Sequence, residues 1–169
     1  RGVRVDLQPG YVLHRRAYRD TSAILELFTL EHGRLSVVAR GVRRAPRGNA
    51  AGRISAQLFQ PLLLSFSGRG ELKTLGASEA AGPAHGLRGE RLYSGLYVNE
   101  LLVRMLARRD VEPVLFACYQ ETLQALSIRG VAESALRRFE LALLSQLGYH
   151  PPLDREANTG EPVRSESRY

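Results

Sequence analysis

Two turn signals do most to limit what this chain can fold into. His32-Gly33 and Ser67-Gly68-Arg69-Gly70 each separate a pair of short, apolar-rich runs, and a tight turn between two such runs reads as a β-hairpin. Residues 11–18, 23–30 and 35–40 are the first three expected strands, and 58–66 and 71–78 are the fourth and fifth. In the third, Leu35, Val37 and Ala39 alternate with Arg34, Ser36, Val38 and Arg40. That alternation predicts one inward face and places Arg34 and Arg40 outward together. Pro61 marks the fourth strand as an edge or a bulge, because proline has no N–H to give a ladder. Five short strands in a small basic domain fit a closed barrel. The OB-fold is the commonest such barrel among single-strand binders, and an SH3-like barrel has the same strand count.

The pattern changes at Ala80-Ala-Gly-Pro-Ala-His-Gly86, a small-residue stretch broken by proline. Beyond it, apolar residues recur at helical spacing: Leu92, Leu96, Val103 and Leu106; then Leu115, Tyr119, Thr122 and Leu126; then Leu136, Phe139, Leu143 and Leu147. Helices are expected over 90–109, 113–126 and 133–147. Arg108 and Arg109 suit the negative end of the first, Asp110 the cap of the second, and Gly148 the left-handed position after the third. The expected class is therefore α+β. A five-stranded OB-fold β-barrel fills residues 1–80, a small α-helical domain fills 81–150, and residues 151–169 form an extended tail.

Charge divides along the same line. Residues 1–80 hold thirteen basic side chains against six acidic ones, whereas 81–169 hold eleven of each. No acidic residue occurs between Gly33 and Gly70. Residues 41–53, with three glycines, a proline and Arg43, Arg44, Arg47 and Arg53, read as a mobile basic loop. Such asymmetry suits a polyanion partner for the first half alone, or a solubilising surface in an Arg-rich protein, since Lys73 is the one lysine. Single-stranded nucleic acid needs cations along its phosphates and flat groups on which bases stack. Arg15, Arg16, Arg19, Arg34, Arg40, Arg43, Arg44, Arg47, Arg53, Arg69 and Lys73 are the candidate DNA-binding cations. Tyr11, Tyr18, Phe28, Phe59 and Phe66 supply rings, most of them expected in the barrel core, with Tyr18 foremost among those left for bases.

Enzyme signals are sparse. The chain has no Walker-type Gly-Lys-Ser/Thr loop and no Gly-x-Ser-x-Gly elbow. His14, His32, His85 and His150 lack metal-ligand spacing, and Cys118 is the one cysteine. No catalytic residue, cofactor or metal is expected, and no apolar run nears the roughly 20 residues of a membrane span. An OB-type RNA-binding module fits the same residues as well as a DNA-binding one.

Several segments, in order along the chain, resemble the RecO family. They include Leu13-His-Arg-Arg-Ala-Tyr-Arg-Asp-Thr-Ser22, His32-Gly-Arg-Leu-Ser36, Phe59-Gln-Pro-Leu-Leu-Leu-Ser-Phe-Ser-Gly-Arg-Gly-Glu-Leu-Lys-Thr-Leu75, Leu92-Tyr-Ser-Gly-Leu-Tyr-Val-Asn-Glu-Leu-Leu102 and Ala135-Leu-Arg-Arg-Phe-Glu-Leu-Ala-Leu-Leu144. The resemblance implies a cytoplasmic, nucleoid-associated mediator of DNA repair and homologous recombination, outside the membrane. It implies binding of single- and double-stranded DNA, annealing of complementary strands, and RecA loading with RecR onto DNA coated with single-strand binding protein. It also implies that the acidic C-terminal tail of single-strand binding protein docks on the helical domain, with Arg137 as its carboxylate partner. Two departures stand out. Glu156 and Thr159 replace the cysteines that form a zinc site in many relatives, so no zinc is expected. The family also continues beyond Tyr169 with further helical sequence.

Overall fold

The structure, a computed structural model, describes residues 3–41, 56–128, 130, 132–150, 152–155 and 159–163. The expected loop arginines Arg43, Arg44, Arg47 and Arg53 lie outside the described residues, as does Glu156.

Five strands come first: β1 (Val3–Tyr18), β2 (Ser22–Thr29), β3 (Gly33–Ala39), β4 (Leu62–Gly68) and β5 (Leu72–Ala80). They close into a barrel in the order β1-β2-β3-β5-β4, with β3 and β5 parallel and all other pairs antiparallel. This is the OB-fold, and the expectation of that barrel holds. Three helices follow: α1 (Glu90–Met105), α2 (Pro113–Ser127) and α3 (Ala132–Gln146).

The first strand begins eight residues earlier than the alternation suggests. Its front half pairs with β4, from Val3 opposite Gly68 to Gly10 opposite Leu62, and its back half pairs with β2. Pro9 and Gly10 are poor strand formers by themselves, so the ladder to a distant strand overrides local preference. The fourth strand starts later, just after Pro61, and Leu58 makes only an isolated bridge to Val12.

Two apolar cores result. Val12, Leu25, Leu27, Val37, Leu62, Leu64 and Phe66 fill the barrel. Tyr11, Leu13, Phe28 and Phe59 point out of it instead and pack under the helices with Val98, Leu102, Leu115, Phe116, Tyr119, Leu123, Phe139 and Leu143. Three of the five rings expected in the barrel core therefore join the two halves, and only Phe66 fills the barrel. Tyr11 and Phe28 each stack against both Phe116 and Tyr119, with centroids 5.1–6.0 Å apart, worth about 0.5–1.5 kcal/mol per pair beyond area burial. One polar knot pins this core. Asn99, buried in α1, donates to the Leu13 carbonyl at 3.0 Å and accepts the Tyr119 hydroxyl at 2.7 Å.

The helix ends depart from expectation in two places. Helix α1 stops at Met105, because Leu106 turns to extended backbone and the chain then bridges to β3 at Arg34 and Arg108. Arg108 and Arg109 therefore lie outside the helix, and the expected charge–dipole role is corrected. Glu112, not Asp110, occupies the cap of α2, without a side-chain cap bond, and Pro113 fills the first helical position, where its missing N–H costs nothing. After α3 the chain does close as expected. Gly148 has φ +86°, its N–H donates to Ser145, and the Tyr149 N–H donates to Leu144, the paired bonds of a Schellman motif.

Asp110 has a different role. Its backbone lies directly on Gly33, which has φ +63°, and a Cβ there would come within 2.0 Å of the Asp110 carbonyl oxygen. Gly33→Ala is expected to destabilise the protein by at least about 2 kcal/mol, since both backbone strain and displacement of the α1–α2 connection follow. Urea unfolding of the two proteins checks this.

Candidate nucleic-acid interface

Cross-strand register sorts the outer face of β1, β2 and β3 into rows, because neighbours directly opposite share a face. The first row is Tyr11, Phe28 and Arg34; the next holds His14, Glu26 and Ser36; then come Arg16, Ile24 and Val38; the last holds Tyr18 and Ser22. The helical half covers the first row and the Glu26–Ser36 part of the second, leaving His14 exposed. The end nearest the β1–β2 turn carries the exposed cations.

Arg34 is the main correction. It does lie on the outer face of β3, as expected, but it is 9% exposed rather than free at the surface with Arg40. Its Nη1 donates to Glu26 at 3.0 Å and its Nε to the Leu106 carbonyl at 2.9 Å. Ser36 donates to the other Glu26 oxygen at 2.5 Å and accepts from Arg108 at 2.6 Å, and Arg108 also stands 3.6 Å from Glu26. The alternation of β3 was read correctly for its inward face. Its outer face is buried because the α1–α2 connection lies on it, a long-range contact that periodicity does not register.

At the hairpin end Arg15, Arg16 and Arg40 are exposed, and among the described residues none of them forms an ion pair with a carboxylate. Arg15 and Arg16 are successive strand residues and so flank β1 on its two sides. Arg19 adopts φ +53° at the turn, and its guanidinium sits 5.1 Å from the centre of the Tyr18 ring, with Asp20 exposed beside it. Tyr18 is half-buried.

A second group gathers at the opposite end of β3, around the β4–β5 turn. Arg69 is exposed there, and the Lys73 ammonium donates to the Gly68 carbonyl at 3.0 Å. Arg109 joins them with φ +61°, its backbone N–H donating to the Arg34 carbonyl at 2.8 Å and its side chain to the Gly70 carbonyl. Helical spacing absorbs Arg108 and Arg109, so neither is among the cations expected at the barrel. The positive φ that turns Arg109 toward the barrel has no sequence signature.

Arg137 stands apart, on α3, with a 64% exposed side chain paired to Glu140 at 2.6 Å. Glu140 also accepts the Tyr97 hydroxyl at 2.6 Å, which raises the Tyr97 pKa. Exposed Tyr93, Leu96, Tyr97 and Leu141 lie on the same two helices. Cys118 is half-buried, and burial pushes its thiol up, away from an activated nucleophile. Among the described residues no three His, Cys, Asp or Glu side chains are grouped to hold a metal ion, and no helix is long and apolar enough to cross a membrane.

Comparison with known proteins divides the chain where β5 gives way to the helices. Residues 6–84 match the family model described as Recombination protein O N terminal, and residues 87–168 match Recombination protein O C terminal. The DNA repair protein RecO of Methylococcus capsulatus is 49% identical over 166 residues, which cover 98% of this chain and 67% of that protein. The protein of the same name from Ralstonia nicotianae is 48% identical over 98% of this chain and 60% of its own length. That of Nitrosococcus oceani is 48% identical over 99% and 67%. The chain spans about two thirds of the length of these relatives.

The buried ion pair at the centre of the covered rows makes a direct stability prediction. Glu26→Ala strands Arg34 in the interior and is expected to cost about 3–5 kcal/mol, whereas Glu26→Leu with Arg34→Met recovers most of that loss. Chemical unfolding of the single and double variants separates the two outcomes.

Proposed function

The chain belongs to the RecO family of DNA repair proteins, and on that premise we propose that it is a non-catalytic mediator of recombinational repair. It binds single- and double-stranded DNA on the barrel and anneals complementary strands. With RecR it helps to load RecA onto DNA coated with single-strand binding protein, in the cytoplasm and on the nucleoid. The observation that carries this reading is the set of cations Arg15, Arg16 and Arg40 at the hairpin end of an OB barrel, unpaired with carboxylates among the described residues. Arg19 beside Tyr18 adds a stacking element. Arg43, Arg44, Arg47 and Arg53 add charge to the same half of the sequence. Arg34 has no part in it, being consumed by Glu26.

The mechanism is electrostatic. Two DNA strands repel each other, and a surface that neutralises phosphates of both lowers the barrier to pairing without making or breaking a bond. Arginine suits this role because its planar fork meets phosphate oxygens two at a time and also stacks on bases.

Docking of the acidic tail of single-strand binding protein is placed by this reading at Arg137. The geometry adds a competitor, since Glu140 already occupies the guanidinium. An incoming carboxylate has to displace or share with Glu140, while Tyr97 and Leu141 supply apolar surface nearby.

Two measurements test the reading. If four to six phosphates are neutralised, log K for a single-stranded oligonucleotide falls against log salt with a slope of about −3 to −4. Arg16→Ala with Arg40→Ala flattens that slope by about one and slows annealing; an RNA strand of equal length that wins the competition would favour an RNA-binding role instead. For the tail site, Arg137→Ala is expected to weaken binding of an acidic tail peptide about tenfold or more. Glu140→Gln should tighten it about two- to fivefold, read by fluorescence anisotropy.

A further inference from the structure

At the β4–β5 end the barrel mouth holds a cavity of about 240 Å³. Val5 and Val111 form its apolar side above the buried edges of Leu35 and Phe66, each 4% exposed, and Lys73 and Arg109 form its charged rim. His32 also lines it and meets Phe66 edge-on, with ring centres 5.7 Å apart. The cavity is built jointly: Arg109 and Val111 come from the α1–α2 connection, the rest from the barrel.

Both cations are held over the opening. Lys73 is tied to Gly68, and Arg109 is tied through its backbone to Arg34 and through its side chain to Gly70. Each spends one side-chain donor on a carbonyl, so an ammonium with three donors and a guanidinium with five keep others for a ligand. A non-glycine residue at φ +61° costs free energy, and here it aims a cation at the cavity. Among the described residues the one carboxylate on the lining is Glu31, to which Gln8 Nε2 donates at 3.1 Å.

The volume falls below the roughly 300–1,000 Å³ of cofactor and drug-sized pockets, which leaves room for a single planar ring. An apolar, aromatic wall beside two cations matches a base joined to a phosphate. A bare phosphate would gain nothing from Val5 and Val111. We propose that this cavity is a subsite for one nucleotide of a single DNA strand, its base against His32 and Val111, which keep accessible surface, and its phosphate between Lys73 and Arg109. The proposal rests on the DNA-binding reading above and adds a second locus to it. The seven residues of β3 put roughly 20 Å between this mouth and the hairpin cations. A strand lying on one does not fill the other unless it runs the length of β3.

The test uses the full chain and two probes of equal length, oligothymidine and an abasic chain with the same number of phosphates. Val111→Trp fills the cavity from a half-exposed position and is expected to weaken oligothymidine binding about tenfold while leaving abasic binding within about twofold, a separation set by the size of base-stacking contributions. Lys73→Gln lowers both affinities, and Glu31→Gln raises both slightly. Equal losses on the two probes with Val111→Trp overturn the base subsite and leave a phosphate contact only. No change with any of the three variants, while Arg16→Ala with Arg40→Ala still weakens binding, overturns the subsite and leaves the broader reading standing. Failure of the wild-type chain to bind either probe overturns both.

Discussion

Glu26 sits in the middle strand of a three-stranded face with its carboxylate shut away from water, and three side chains converge on it from two halves of the molecule. Arg34 and Ser36 reach it from β3, and Arg108 from the α1–α2 connection. Arg34 then continues to the Leu106 carbonyl, so one chain of charge-assisted bonds runs from the barrel into the helical half. Taking a carboxylate and a guanidinium out of water costs several kcal/mol each, and their mutual attraction offsets this only in good geometry. The net gain over apolar residues is therefore small. The cost of any other placement is large, because a shifted connection leaves two buried charges without partners. Asp110 against Gly33 enforces the same placement sterically.

That placement decides which part of the barrel faces solvent. The helical half takes the Tyr11–Phe28 row and Glu26, which in an open OB-fold would belong to the ligand-binding sheet face. What remains is the hairpin end, with Arg15, Arg16, Arg19 and Arg40, and the far mouth, with Arg69 and Lys73. The electrically neutral second half contributes to the basic surface as well, since Arg108 and Arg109 fold back onto the barrel. Net charge by sequence segment thus understates the cooperation between the halves.

On the far side of the helices the arrangement is of another kind. Arg137, Glu140 and Tyr97 form a short polar line, with exposed Tyr93 and Leu141 on the same two helices. An acidic peptide suits such a surface, with charge at one point and burial around it.

The sequence by itself determined the strand and helix order, the five-strand barrel, the break after Ala80, and the inward faces of β3, α2 and α3, because these follow from local periodicity and turn chemistry. It also placed Arg15, Arg16, Arg40 and Arg69 on the surface, since charged residues beside turns rarely find burial. The tertiary structure alone decided the fate of Arg34, the early start of β1, the end of α1 at Met105 and the turning of Arg109 toward the barrel mouth. Each of those depends on a partner far away in sequence: Leu106 for Arg34, Gly68 for Val3, β3 for the segment after α1. A residue's pattern reports which way it points, whereas what lies in that direction is known only once the chain has closed on itself.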